Sequence, residues 1–409
     1  MCKLLDKKLF FFLVVAVIFY KSPYIFLNGR FVAEEGEFWF KNSYEKGALF
    51  GIFQIFYQSG YFNLWANIAS VLATYVPLEY APLVTVYCAL IIKLYLIFFI
   101  LNNNSSLLIT KKYKYLASLI ILFSPFMVEE IWLNTLTSQA YLTIFSILYL
   151  FKLDENKEFL KYLNLVFLFI AAMSSVTTII LFPFFLYNFV KKKKLIPFLI
   201  IFLSGFLQTS IYIYAKYTDL YSAQYLRYHY SYEKIINFIY NIFLKSFFGK
   251  DLTQSLFLDW GLHNNKLLIL FLIFIIFFFF LFFFLKKIKK DRILAILILI
   301  FIIQSVLAFI GSKMFQVQGR YAVVPCFVLL MLVLRFYQTE KGLIKNFYLF
   351  LIISSILTGI YHYKYRPVYP EFLNCINCPN WKNEVKKWRL DKDYKLKIWH
   401  YPMRTMNLN

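Results

Sequence analysis

Apolar runs of about twenty residues recur along the whole sequence, and they limit the fold more than any other feature. Hydrophobic residues make up 61% of the chain and charged residues 16%, whereas soluble domains carry about a quarter charged residues. Runs of this length and composition are typical of membrane-spanning helices. The sequence therefore predicts an all-α polytopic membrane protein.

The basic residues lie between these runs and are not spread over a soluble surface. Lys and Arg total 44 against 21 Asp and Glu, which gives a formal net charge of +23. They cluster in short lysine-rich stretches, where they meet anionic headgroups and fix the orientation of the helices. We therefore expect membrane lipids as partners and do not expect nucleic acid.

Placing every basic run in the cytoplasm gives a consistent topology, because short loops rich in Lys and Arg stay inside. It predicts eleven transmembrane helices, with the N-terminus inside and the C-terminus outside. The first segment has no small-residue cleavage site after it, so we interpret it as an uncleaved helix. The apolar segments lie near 9–27, 81–101, 114–128, 138–152, 160–174, 176–190, 195–215, 266–285, 293–311, 321–337 and 345–361.

Two apolar stretches and one lysine need their own interpretation. Residues 160–190 have lysines at both ends, which favours a hairpin that turns near Ser174 and Ser175. Counting 61–76 as a span would reverse the membrane orientation of every later segment. We therefore expect a helix that lies on the outer surface of the membrane or dips partly into it. Lys93, inside the second span, is expected to snorkel toward the cytoplasmic face, and a functional role is the alternative.

This topology places the acidic and polar motifs on the outer side of the membrane. It predicts outer loops at 28–80 and 216–265, and a short extracytoplasmic segment at 362–409. The tryptophans and mixed charges of that segment predict an ordered structure, although it is too short for an independent core. We therefore divide the chain into a multispan domain, 1–361, and a small C-terminal segment.

The stretch "AEEGEFWF" places three carboxylates, Glu34, Glu35 and Glu37, just beyond the first span. Adjacent carboxylates among aromatic side chains repel one another and are partly desolvated, so one pKa should rise toward neutrality. Glu34 and Glu35 would then suit a general base facing a sugar hydroxyl, or a divalent cation, Mg²⁺ or Mn²⁺. We expect Glu37 to be an exposed loop acid. The alternative is a solvated loop whose acids only disfavour the cytoplasmic side.

The stretch "EEIWLNTLTSQ" supplies Glu129, Glu130, Asn134 and Gln139 on another outer loop. Carboxylates and carboxamides form directional hydrogen bonds with hydroxyl groups, which predicts contacts with a sugar or an acceptor. Helix capping by Asn134 and Thr135 explains the same residues equally well.

The stretch "MFQVQGRYAVVP" places Arg320 at the outer end of a late span. The guanidinium group presents a fixed fork of donors that matches phosphate, and at this position it would meet a lipid phosphate. An arginine outside the membrane also opposes the positive-inside bias, so topology does not explain it. Lys313 and Arg227 are weaker companions for the same role.

The order of these features resembles the GT-C superfamily of polyprenyl-phosphate-sugar glycosyltransferases, in which a first helix precedes a long outer loop that opens with paired acids. The stretch "GRYAVVPCFVLL" is similar to the R-Y-x(n)-P start of a late helix in the protein mannosyltransferase and lipid A aminoarabinose transferase branch. The region from "AEEGEFWF" to "LEYAPLV" also resembles uncharacterised bacterial multispan proteins with a W-A-E-E-G-like opening. The resemblance implies a catalytic base at Glu34 or Glu35 and a lipid-phosphate contact at Arg320. Many such enzymes begin this loop with Asp, so which acid acts stays open.

The function that these features predict is a glycosyltransferase of the bacterial inner membrane. It would move a sugar from a polyprenyl-phosphate donor to a surface glycan, glycolipid or protein acceptor, with inversion at the anomeric carbon. A glycan polymerase or ligase would use the same donors, and a transporter or flippase for lipid-linked glycans would need no chemistry. The sequence contains no P-loop and no dinucleotide fingerprint. A divalent cation at the paired acids is the one cofactor considered, and whether it is needed stays open.

Overall fold

The described chain is mostly helical. A computed structural model of the protein describes residues 6–125, 131–153, 158–221, 232–253, 291–312, 319–363, 379–399 and 404–408. Within these ranges the sheet consists of one antiparallel hairpin, β1 Leu396–Lys397 with β2 Thr405–Met406. The all-α class is confirmed, and the apolar helices are consistent with a membrane protein.

The helices divide between two compact units. The first unit contains the described residues within 1–104, 128–225 and 364–409, and the second contains those within 105–127 and 226–363. The helices, in chain order, are α1 Lys7–Lys21, α2 Pro23–Asn28, α3 Lys41–Lys46, α4 Ala48–Phe53, α5 Leu64–Thr74, α6 Ala81–Asn102, α7 Lys111–Phe123, α8 Gln139–Leu150, α9 Glu158–Ser174, α10 Val176–Ile179, α11 Phe182–Lys192, α12 Leu195–Tyr217, α13 Tyr232–Ile239, α14 Lys245–Thr253, α15 Arg292–Gly311, α16 Gly319–Thr339, α17 Gly342–Tyr361 and α18 Trp381–Leu390.

Five of the described helices are long and apolar enough to cross a membrane. A helix of about twenty residues, rising about 1.5 Å per residue, spans a hydrocarbon core of roughly 30 Å. The segment near 266–285 lies outside the described residues, so the predicted total of eleven spans and their orientation stay predictions. The five are α6 together with the turn before it, Leu78–Asn102, and α12, α15, α16 and α17.

Other predicted spans form shorter or divided helices. The first one divides into α1 and α2 where Pro23 begins the second helix, because proline has no N–H to continue the first. Helices α7 and α8 have 13 and 12 residues. The long stretch 160–190 breaks at the predicted place, since α9 ends at Ser174 and α10 begins at Val176.

Helix α5, in the segment 61–76, is too short to be a span. Its 11 residues give a length of about 16 Å. Most of its side chains are buried within the first unit, so the helix packs against other parts of the protein, and its position relative to the membrane stays a prediction. Its polar residues explain this packing: Asn67 donates to the Gln54 carbonyl at 2.9 Å, and the hydroxyls of Ser70 and Ser43 lie 2.9 Å apart. These bonds tie α5 to α3 and to the end of α4.

The long loop expected at 216–265 contains helices where the structure describes it. Helix α13, a π-helical stretch Tyr240–Leu244 and α14 follow one another within the second unit. The π-helical stretch packs against α16, α14 packs against α17, and Phe238 of α13 contacts Phe309 of α15. Ile242 and Phe247 are buried there. The stretch "KIINFIYNIFLKSFF" carries apolar residues at helical spacing, which is a signal for a helix. Lysine and other polar residues are spread along the same stretch, so it was interpreted as part of a loop.

The C-terminal segment shares its core with the segment 28–80. Trp381 and Trp388 of α18 pack in one cluster with Phe31, Phe40 and the start of α6. The indole N–H of Trp381 donates to the Leu78 carbonyl at 2.7 Å. These contacts agree with the prediction that the tail and the 28–80 segment lie on the same side of the membrane, and the expectation that the tail lacks an independent core fits them.

Gly29, at the C-terminal end of α2, lies close against the backbone of α6. Its φ of 67° and ψ of 171° lie in a region that is almost restricted to glycine, and a Cβ there would lie 2.7 Å from the Leu83 nitrogen. Gly47 has nearly the same backbone conformation, with φ 84° and ψ 170°, but open space where its Cβ would be. Comparing substitutions at Gly29 and Gly47 therefore distinguishes the effect of backbone strain from the effect of a close contact.

We expect Gly29→Ala to destabilise the protein more than Gly47→Ala does. Both variants carry backbone strain of about 1–3 kcal/mol, and only Gly29→Ala adds a clash with the backbone of α6. Apparent thermal midpoints of the two purified variants in detergent check this order. Equal midpoints would contradict the packing of α2 against α6.

Candidate functional site

The three carboxylates lie on an irregular segment, residues 33–40, which we call the acidic turn. Ala33 has a φ of 49°, a left-handed value that residues other than glycine adopt rarely, and Glu35–Phe40 is π-helical. The tail pairs with this backbone: the Ala33 N–H donates to the Trp399 carbonyl at 3.0 Å, and the Trp399 N–H donates to the Phe31 carbonyl at 3.2 Å. Single π-helical turns and strained residues are concentrated at functional sites. The acidic turn is therefore the candidate site.

Glu35 is the buried member of the three, with 2% of its surface exposed. One carboxylate oxygen accepts hydrogen bonds from the Thr135 N–H at 3.0 Å and from the Thr135 hydroxyl. The other oxygen accepts from the Val32 N–H at 3.4 Å. Burial raises the pKa of Glu35, while the Thr135 bonds, the Arg30 guanidinium and the Val32 bond oppose that shift. Glu35 thus joins the acidic turn to the loop 131–138, and both of its oxygens are engaged.

Arg404 of the tail bridges the other two carboxylates. Its Nη2 lies 3.0 Å from Glu34 Oε1, and its Nη1 lies 2.6 Å from Glu37 Oε2. The expectation that Glu37 is an exposed loop acid is wrong, because the tail covers it and leaves 25% of its side chain exposed. Burial raises the pKa of Glu37, and the charge and hydrogen bond of Arg404 oppose the rise.

Glu34 is the most accessible of the three carboxylates. Its side chain is 36% exposed, and only its Oε1 contacts Arg404. Its Oε2 accepts no hydrogen bond from the residues that the structure describes. One oxygen is therefore anchored and the other can accept a proton from a bound hydroxyl group.

Basic side chains gather around Trp132, in the loop that Glu35 holds. Arg30 Nη2 donates to the Trp132 carbonyl at 2.9 Å. The ammonium groups of Lys21 and Lys93 lie 4.5 and 3.8 Å from the centre of the indole ring. All three cations are buried, and cation–π contacts offset part of the cost of removing them from water. They fix the loop against α1 and α6.

The expected snorkelling of Lys93 is not seen, because its ammonium group is buried inside the protein. A helical side chain leans toward the N-terminus of its own helix. The Lys93 ammonium accordingly lies over the Trp132 ring and 5.4 Å from the ring centre of Tyr141, with no hydrogen-bond acceptor among the described residues.

Of the four residues predicted to contact a sugar, two lie within the described parts of the chain. Asn134 is buried, and its side-chain oxygen accepts from the backbone N–H two residues further on at 2.8 Å, so it stabilises a turn, close to the local role given as the alternative. Gln139 is the first residue of α8 and is partly exposed. Glu129 and Glu130 lie outside the described residues.

Arg320, the predicted phosphate contact, belongs to the second unit. It lies in the first turn of α16, partly exposed, with its guanidinium carbon 5.1 Å from the ring centre of Tyr321. Unsatisfied N–H groups at the start of a helix attract anions, which suits the predicted role. Lys313 and Arg227 lie outside the described residues.

The acidic turn does not fit a divalent cation in this arrangement. Hydrogen-bond donors occupy both oxygens of Glu35, and the Arg404 guanidinium lies between Glu34 and Glu37, where its positive charge repels a cation. In the part of the chain that the structure describes, no three His, Cys, Asp or Glu side chains are grouped as metal ligands. Dependence on Mg²⁺ or Mn²⁺ stays a prediction, and no step below uses a metal ion.

Several residues of this site were not predicted. Arg404 is separated from Glu34 by 370 positions, so no local spacing connects them. Thr135 was predicted as a cap, and its contact with Glu35 spans 100 positions. Arg30 could have been predicted from the sequence. In "RFVAEEGE" an arginine on the predicted outer side comes just before the paired acids, which indicates a residue of the same site.

No family model matches the chain, and neither a curated protein nor a solved structure matches it. Any proposal about function therefore depends on the residues of this chain and their arrangement.

We expect Glu35→Gln to destabilise the protein although it keeps the shape of the side chain. The amide would turn its NH₂ toward the N–H of Thr135 or of Val32, and a buried donor that loses its acceptor costs about 1–3 kcal/mol. Glu34→Gln weakens only a partly exposed ion pair, worth about 1 kcal/mol or less. Thermal midpoints in detergent test the difference. A Glu35→Gln variant as stable as the wild type would show that the carboxylate does not hold the loop.

Proposed function

We propose that this protein is a glycosyltransferase that takes a sugar from a polyprenyl-phosphate donor at the outer face of the bacterial inner membrane. Glu34 is the observation that carries the proposal. Its carboxylate has one oxygen anchored to Arg404 and the other open, at the N-terminal end of a π-helical turn. Phe40 of that turn packs in one cluster with Ala81, at the start of the candidate membrane span α6. A general base needs this combination of fixed orientation and access.

The proposed reaction is an inverting displacement with Glu34 as the base. The acceptor hydroxyl donates its proton to Glu34 Oε2, and its oxygen attacks the anomeric carbon of the donor sugar. The bond between that carbon and the phosphate oxygen breaks, and the electron pair leaves with the polyprenyl phosphate. Glu34 later releases the proton to water, so the carboxylate is regenerated.

Two neighbouring residues position Glu34 without touching the substrate. Arg404 fixes the anchored oxygen and so sets the direction of the open one. Glu35, next in the chain, holds the turn through Thr135 and Val32, and its engaged oxygens make it a positioning residue in this proposal. The proposal therefore assigns the base to Glu34 rather than to Glu35, a choice that the sequence left open.

Arg320, in the second unit, stays a sequence-based prediction for a contact with a lipid phosphate, separate from the reaction at Glu34. Its guanidinium presents a fork of donors, and it lies at the N-terminal end of a candidate span, α16. The assignment of Glu34 does not depend on it.

A transporter for lipid-linked glycans is the second candidate, and Lys93 favours it. An ionisable side chain buried in a candidate span marks the substrate pathway in many transporters. In the described structure this lysine packs against Trp132, which gives it a structural role as well. A glycan polymerase or ligase would share the chemistry at Glu34 and differ in the acceptor.

We expect Glu34→Gln to lower sugar transfer by about 10²–10⁴-fold, because it removes a positioned base. The assay follows radioactivity from the cell's own polyprenyl-phosphate sugars, labelled by growth on radioactive glucose, into membrane glycan. Glu37→Gln is the matched control, since it changes a carboxylate on the same turn that also pairs with Arg404. It should retain transfer within about threefold, a loss comparable to that of one partly exposed ion pair.

The same assay separates the alternatives. Label that accumulates in long chains or moves as a whole glycan indicates a polymerase or ligase. Label that crosses the membrane without transfer, at a rate that Glu34→Gln does not change, indicates a transporter. Wild-type transfer by Glu34→Gln at equal expression would overturn the proposed base.

A further inference from the structure

An open cavity of about 670 Å³ lies in the first unit, where the tail meets the start of α6. Glu79 and Tyr80 form one wall, and Lys382, Lys386 and Arg389 of α18 form the other. None of these residues takes part in the acidic turn described above. The cavity is therefore a separate feature of the same unit.

Helix α18 has two faces with different roles. Trp381, Val385 and Trp388 recur at helical spacing and are buried in the core shared with the segment 28–80. Lys382, Lys386 and Arg389 recur at the same spacing on a different face and line the cavity. The buried face fixes the helix, so the basic side chains are presented on a rigid support.

The charges in the cavity do not balance. Arg389 pairs with Glu79, whose Oε1 lies 2.8 Å from its Nη2. The Lys382 ammonium lies 4.9 Å from the ring centre of Tyr80, and Lys386 has no carboxylate partner among the described residues. Two positive charges therefore remain, and the wall of the cavity attracts an anion.

The surroundings of the cavity point to a membrane lipid as the source of that anion. The cavity opens beside the first turn of the candidate span Leu78–Asn102. Tyr75, just before that span, is 73% exposed, and Leu390, at the end of α18, is 91% exposed. Exposed tyrosine and leucine next to lysines are typical of segments at headgroup level, where tyrosine rings meet the interface and lysines meet lipid phosphates.

We propose that this cavity binds the phosphate headgroup of an anionic phospholipid through Lys382 and Lys386, with the Arg389–Glu79 pair closing one side. The binding would hold α18 at the membrane surface and so keep the tail in place over the acidic turn. The site does not depend on the proposed glycosyltransferase activity.

The test measures how many short-chain phosphatidylglycerol molecules bind to the purified full-length protein, using native mass spectrometry in a neutral detergent. A lysine near an anionic lipid surface contributes about a fivefold change in affinity. We therefore expect Lys382→Gln/Lys386→Gln to weaken phosphatidylglycerol binding by roughly 25-fold. Lys382→Arg/Lys386→Arg keeps the charges and should keep most of the binding.

The control is Lys216→Gln/Lys395→Gln, which removes two exposed lysines of the same unit that lie outside the cavity. It should bind phosphatidylglycerol like the wild type. Equal loss in both glutamine double variants, or equal binding of short-chain phosphatidylcholine, would overturn the proposal. Inorganic phosphate that competes fully with phosphatidylglycerol at similar concentration would overturn it too, since the site would then take free phosphate.

Discussion

The buried carboxylate of Glu35 is the interaction on which the arrangement of the candidate site depends. It lies in a protein interior where a carboxylate is tolerated only when hydrogen-bonded, and Thr135 and Val32 supply the donors. Because these donors come from the loop 131–138 and from the chain just before the acidic turn, one side chain fixes both. Glu34 is the next residue toward the N-terminus, so its direction follows from the position of Glu35.

The tail completes this arrangement from the other end of the chain. Trp399 pairs with the backbone at Phe31 and Ala33, and Arg404 crosses Glu34 and Glu37. Without Arg404, three carboxylates on neighbouring positions would repel one another. The tail therefore gives the acidic turn a counter-charge and a covered side, and it leaves Glu34 partly open.

The sequence predicted what local pattern can determine. The apolar runs indicated a helical membrane protein, and "AEEGEFWF" indicated the acidic turn. The break at Ser174 also followed from lysines at both ends of one apolar stretch. Helix α13 was missed although its apolar residues recur at helical spacing. The cover that the tail forms over Glu37 was missed because it depends on chain that is distant in sequence. The contact between Glu37 and Arg404 spans 367 positions, and no spacing rule reaches that far.

The central claim is that the tail contacts the acidic turn when the protein is in its native membrane. Chemical cross-linking tests this contact most directly. Glu37→Cys and Arg404→Cys are introduced together into the full chain with its five native cysteines replaced. A thiol cross-linker of about 8 Å reach, long enough to span two side chains in contact, is applied to intact membranes, and linked peptides are counted by mass spectrometry. Arg404→Cys with Lys216→Cys, an exposed site elsewhere in the unit, is the control. The account predicts abundant 37–404 cross-links and few 216–404 cross-links; equal yields for the two pairs would contradict it.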